Sequence, residues 1–98
     1  MAKIFKFFLQ AKYGHLPEGF DRWELTDYEG RTVAHVAARH GTLPPGFDRW
    51  DLADKSGETV AHTAARHGRL PSDFSEWELT DKDGRTVREI WQERQDAS

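Results

Sequence analysis

A repeat at one fixed spacing constrains this chain more than any other feature. Leu16-Pro17, Leu43-Pro44 and Leu70-Pro71 recur every 27 residues. The same step relates Phe20, Phe47 and Phe74, then Trp23, Trp50 and Trp77, then Leu25, Leu52 and Leu79. Asp27, Asp54 and Asp81 follow, with Gly30, Gly57 and Gly84 behind them. Thr32-Val33, Thr59-Val60 and Thr86-Val87 complete the set. A unit this small cannot bury an apolar face alone, so like units are expected to stack. The chain has 98 residues, enough for one core rather than two, and a single domain over 1–98 is predicted.

Each unit has a physical reading. Leu16, Phe20 and Trp23 fall at i, i+4 and i+7, which predicts a short helix with all three on one face. Pro17, Pro44 and Pro71 suit the first turn of such a helix. The following Asp-x-x-Gly stretch predicts a tight turn, since Asp binds its own backbone and Gly allows positive φ. Thr32, Thr59 and Thr86 stand where N-caps are wanted. Val33 to His40 and Val60 to His67 are Ala-rich helices ended by Gly41 and Gly68. Helices of this length need neighbours to persist.

The ends depart from the middle as terminal units should. Residues 3–13 match the second half of a repeat, with Tyr13-Gly14 in register with His40-Gly41. Ile4, Phe7, Phe8 and Ala11 share one helical face there, which predicts an N-terminal cap helix. Full units are expected at 14–40, 41–67 and 68–94. The last keeps Gly84-Arg85-Thr86-Val87 and then turns polar around Ile90 and Trp91, as a C-terminal cap requires. Residues 95–98 are expected to fray. The basic, apolar opening from Met1 to Leu9 is broken by Lys6 and lacks a small-residue cleavage site, so it reads as helix rather than signal peptide. Nothing approaches the ~20 apolar residues of a membrane span.

The stretch Asp54-Lys55-Ser56-Gly57-Glu58-Thr59-Val60-Ala61-His62-Thr63-Ala64-Ala65-Arg66-His67-Gly68 resembles the opening of an ankyrin repeat, in which Asp-x-x-Gly-x-Thr-Pro-Leu-His-x-Ala-Ala-x-x-Gly is the pattern. Asp27 to Gly41 matches as well, and Asp81 to Val87 matches the start. The resemblance covers about residues 14–92. Val-Ala replaces the usual Pro-Leu, and the unit is shorter than the family's ~33 residues, with Leu-Pro-x-x-Phe-x-x-Trp in place of the second helix. Such short Trp-containing variants look most at home in bacterial and phage proteins. The resemblance implies an all-α fold, a short ankyrin-like helical solenoid with capping helices at both ends. It also implies a non-catalytic protein-interaction role, and it gives His35 and His62 a structural task, bridging the Thr hydroxyl and turn backbone.

Read on their own residues, these histidines also admit a metal, but no third or fourth ligand is in view. His40 and His67 suit helix C-termini electrostatically or a partner contact. The tryptophans, phased with Phe and Leu, read as core rather than as a base-stacking ladder. No phosphate loop, Ser-His-Asp set or metal-ligand spacing is present. No catalysis and no cofactor are therefore expected.

Positions where the units disagree are where function is free to act. At the turn these are Tyr28, Glu29 and Arg31, then Lys55, Ser56 and Glu58, then Lys82, Asp83 and Arg85. In ankyrin proteins the residues before the glycine resemble a second partner-contacting set, here Arg39 and His40, Arg66 and His67, and in the last unit Glu93 and Arg94. An ordinary solvated edge is the alternative. With 14 basic and 17 acidic residues the net charge is −3, too mild for a nucleic-acid mimic or for strong nonspecific nucleic-acid binding. The absence of cysteine excludes disulfides and thiolate chemistry and fits a reducing cytoplasm. The leading expectation is a cytoplasmic adaptor or small inhibitor that occupies a protein partner's surface, a phage or bacterial inhibitor being one form of it. The alternatives are a nucleic-acid-associated factor using Arg31, Arg39, Arg66, Arg69 and Arg85, and a consensus-like scaffold without a natural ligand.

Overall fold

The computed structural model describes the backbone of residues 2–44 and 46–97 and the side chains of 6–44 and 46–96. Four helices follow one another: α1 Ala2–Tyr13, α2 Val33–His40, α3 Val60–Arg66 and α4 Val87–Ala97. Among the described residues each packs only on its neighbours in sequence, and no strand forms beyond single bridges. The molecule measures 39 × 25 × 23 Å, longer in one direction as a row of helices requires. Ile4, expected on the buried face of α1, lies outside the described side chains; Phe8 and Ala11 are buried and Phe7 is partly so.

The turn before each helix is built as the sequence predicts. Asp27 Oδ1 accepts from the backbone N–H groups of Glu29 and Arg31 at 2.9 and 3.0 Å. Asp54 does the same for Ser56 and Glu58, and Asp81 for Asp83 and Arg85. Gly30, Gly57 and Gly84 take φ of +80°, +84° and +79°, the left-handed region that closes the turn. Single antiparallel bridges, Thr26 to Thr32, Ala53 to Thr59 and Thr80 to Thr86, clamp the two arms.

Helix starts are satisfied in a repeated way. Thr32 Oγ1 accepts from His35 N–H at 3.0 Å, and Thr59 Oγ1 accepts from His62 N–H at 3.1 Å. The two preceding N–H groups find carbonyls in the Trp segment: Val33 on Leu25, Ala34 on Trp23, Val60 on Leu52, Ala61 on Trp50. Three of the four orphan donors at each helix start are thereby paired. At α4 the unit carries Glu89 in place of His, and Thr86 and Glu89 close a reciprocal capping box. Gly41 is left-handed, with its N–H on Ala37 and Ala38 carbonyls, and ends α2. α3 ends one residue short of the expected His67, with Gly68 in the same left-handed state. α4 runs on through Ala97 where fraying was expected.

The Leu-Pro-x-x-Phe-x-x-Trp segments are not helices, contrary to the prediction from their spacing. Each is two tight turns. Phe20 N–H binds the Pro17 carbonyl at 3.1 Å, and Leu25 N–H binds the Arg22 carbonyl at 3.2 Å. Gly19 and Gly46, at φ +79° and +83°, cannot continue a right-handed helix. The third unit makes the same first turn with Ser72-Asp73, so glycine is not its sole cause. Ring packing supplies the rest of the reason. From Phe20 to Trp77 every Phe meets its own Trp and the next unit's Phe meets that Trp, edge to face at 5.0–5.3 Å. Phe7 of α1 joins one end of this row and Trp91 of α4 the other. Edge-to-face pairs add about 0.5–1.5 kcal/mol each beyond area burial. This row and the alanines of α2 and α3 form one continuous core.

Candidate functional site

Each buried histidine ties its unit to the next. His35 Nε2 lies 2.7 Å from the Glu58 carbonyl, and His62 Nε2 lies 2.7 Å from the Arg85 carbonyl. A carbonyl can only accept, so Nε2 donates in both rings. Nδ1 then accepts from the Thr32 hydroxyl at 2.6 Å and from the Thr59 hydroxyl at 2.5 Å. Both ring nitrogens are thus committed, and neither offers a lone pair to a metal or a proton acceptor to a substrate.

With the turns fixed this way, a groove of about 420 Å³ runs between the turn tips and the exposed faces of α1 to α3. Tyr28, Arg31, Arg39, His40, Glu58 and His67 of the expected contact set all line it. Tyr28 is 92% exposed, far more than a ring of that size is when it packs at home.

The rest of the expected set does not line the groove. The stems of Lys55 and Lys82 lie over Gly30 and Gly57, and Lys55 N–H reaches the Gly30 carbonyl at 3.3 Å. Ser56 turns its hydroxyl onto Asp54 at 2.7 Å. Glu29 pairs with Arg31 at 2.5 Å, and Arg31 also meets Asp27 at 3.2 Å. Arg66 meets Glu58 at 2.7 Å, and the other Glu58 oxygen accepts from Thr63. Arg85 pairs with Glu93 on α4, and Asp83 stays on the exposed third turn. Arg94, named with Glu93 in the last unit, covers Gly68 and donates to the Arg66 carbonyl at 3.4 Å. Three of the five arginines considered for nucleic acid, Arg31, Arg66 and Arg85, are therefore already ion-paired.

Sequence reasoning missed Leu9, Lys12, Val36 and Thr63, which also line the groove. The signal was available in the register. Leu9, Val36 and Thr63 stand 27 residues apart, as do Lys12, Arg39 and Arg66, and Tyr13, His40 and His67. The first helix carries the same rows as the inner ones.

The helix-end side of the groove is electropositive. Burial lowers the His40 imidazole below its ordinary value, and Arg39, Lys12 and Arg69 lower it further. His67 is lowered by burial, then by Arg39 and Arg66, against an opposing pull from Glu58, with Arg69 lowering it slightly further. Two turn carboxylates, Asp54 and Asp81, are held in the charged form. Burial pushes Asp54 up, but hydrogen bonds from Ser56 and Glu58 outweigh it and hold it low; backbone donors do the same for Asp81.

These directions fix how stability follows pH. An imidazole lowered in the folded state binds fewer protons than it does unfolded, so its contribution is complete above about 6.5 and lost as pH falls toward the folded value. A carboxylate lowered in the folded state contributes above about 3.9 and loses that as pH falls through its folded value. The melting temperature is expected to fall in two stages on acidification. His40→Gln with His67→Gln should lessen the first stage and leave the second. A first stage unchanged by both substitutions would show that other groups cause it.

No helix of the described residues is long and apolar enough to cross a membrane. No protein-family model matches the chain, and no curated protein matches it significantly.

Proposed function

We propose that this chain is a non-catalytic protein-interaction module, an ankyrin-like solenoid of shortened repeats with α1 and α4 as its caps. It acts in the cytoplasm as an adaptor or small inhibitor by occupying a partner's surface. The observation that carries the reading is the groove, where Tyr28, Arg31 and Glu58, which vary between repeats, meet the helix-end residues Arg39, His40 and His67. Tyr is enriched among binding hot spots because it offers large area at low entropic cost. The chemistry-bearing histidines inside the stack are committed to hydrogen bonds, which favours binding over catalysis. The ion pairing of Arg31, Arg66 and Arg85 favours a protein partner over nucleic acid.

The test is capture of a partner from candidate host extracts, followed by variant binding. Tyr28→Ala is expected to melt like the parent, since exposed substitutions typically shift stability within about 0.5 kcal/mol. It should bind the captured protein at least about tenfold more weakly, a loss of about 1.4 kcal/mol. Arg22→Ala and Arg49→Ala, on the aromatic segments, should bind normally. The reverse result would put the binding surface on the other face. Steep salt dependence of oligonucleotide binding would instead favour a nucleic-acid role.

A further inference from the structure

We infer that the helix-end side of the groove takes an acidic segment of the partner protein, seated on Lys12, Arg39 and Arg69. This rests on the groove being the protein-binding surface and specifies the chemistry of what enters it.

The cations come from three places in the chain and converge. Lys12 is in the last turn of α1, Arg39 is in the last turn of α2, and Arg69 follows α3. Lys12 and Arg39 line the groove. Arg69 folds back over Gly41, where a Cβ would fall 3.0 Å from its Cδ, and so stands beside His40. Among the described residues none of the three makes an ion pair, although acidic residues outnumber basic ones in the chain.

The groove's own carboxylates do not answer them. Asp54 is held by its turn, Asp27 by its turn and Arg31, and Glu58 by Arg66 and Thr63. A helix C-terminus favours a nearby cation by about 0.3–1 kcal/mol. That accounts for Lys12 and Arg39 singly. It does not account for Arg69, which lies beyond the helix and adds a third charge to a like-charged place. An entering carboxylate removes this repulsion and gains charge-assisted hydrogen bonds.

The rest of the lining selects a peptide over a nucleic acid. Leu9 and Val36 give an apolar strip beside the cations, and Tyr28 gives an aromatic wall. Three cations with carboxylates close by do not make the continuous basic track that a phosphate backbone requires. An extended segment alternating acidic and apolar side chains meets both halves of the groove.

The probe is a short labelled peptide of alternating glutamate and leucine, followed by fluorescence anisotropy. A version with glutamine for glutamate and a single-stranded oligonucleotide serve as comparisons. The glutamate peptide should bind the native chain more tightly than the glutamine peptide. It should bind Lys12→Gln, Arg39→Gln, Arg69→Gln at least about tenfold more weakly. The triple variant should give an amide spectrum of the parent's dispersion. Equal binding of the two peptides, equal binding to parent and variant, or displacement of the peptide by the oligonucleotide would each overturn the inference. The captured partner separates the two levels. If Tyr28→Ala weakens it and the triple variant does not, the groove stands and the acidic segment falls. If neither weakens it, both fall.

Discussion

Gly57→Val is expected to destabilise this protein more than Gly84→Val does, although both glycines sit in the same turn of their units. The backbone strain is shared. Gly57 and Gly84 take φ of +84° and +79°, and a β-branched residue held there costs about 1–3 kcal/mol. The surroundings differ. A Cβ at Gly57 would fall 2.7 Å from Lys82 Cβ, whereas a Cβ at Gly84 would meet nothing within 4 Å. Lys82 Cβ is fixed to its backbone and cannot swing aside, so the third turn must shift. Overpacking of this kind adds about 1–3 kcal/mol. The combined loss is a large fraction of the ~5–15 kcal/mol that a domain of this size has to lose. Denaturant midpoints for the two variants decide the matter. Equal midpoints would mean that neighbouring turns do not lean on each other.

That contact also shows why some of the molecule was legible in the sequence and some was not. The fixed spacing identified the Asp turns, the Thr caps and the two inner helices, because each depends on a local side-chain-to-backbone bond made by the residue itself. The Leu-Pro-x-x-Phe-x-x-Trp segments read as helices in sequence because i, i+4, i+7 spacing reports only which side chains share a face. Two consecutive tight turns at Pro17 and Arg22 bring Leu16, Phe20 and Trp23 to one side as well as a helix does. What separates the two is the partner ring, and that belongs to the next unit. Lys55 and Lys82 looked like free tip residues for a similar reason: their stems cover glycines a full unit earlier. The candidate groove is half legible. Its turn-side residues stand out by variation between units, but Lys12 and Leu9 do not, because α1 follows no turn of its own and only the 27-residue register aligns them with Arg39 and Val36.

His62→Ala should cost far more than Glu89→Ala, although the two residues occupy the same place in successive units. His62 has 0% exposure. Its ring accepts from the Thr59 hydroxyl and donates to the Arg85 carbonyl. Removing it empties a side-chain volume in the core and leaves the buried Thr59 hydroxyl without its acceptor, which costs about 1–3 kcal/mol, while the Arg85 carbonyl keeps the Asp81 N–H at 3.0 Å. With the cavity included, a loss of about 3 kcal/mol or more is expected. Glu89 is exposed and bonds only within its own helix start, to Thr86. Its removal costs one half of a capping box, about 0.5–1 kcal/mol. The two losses should also differ in reach. Since His62 holds the carbonyl of the following turn, His62→Ala should speed amide exchange at residues 81–86 as well as in its own helix. Glu89→Ala should leave the exchange of the second unit as it was. If His62→Ala melts no lower than Glu89→Ala, or if its faster exchange stops at residue 68, the imidazole does not couple one unit to the next.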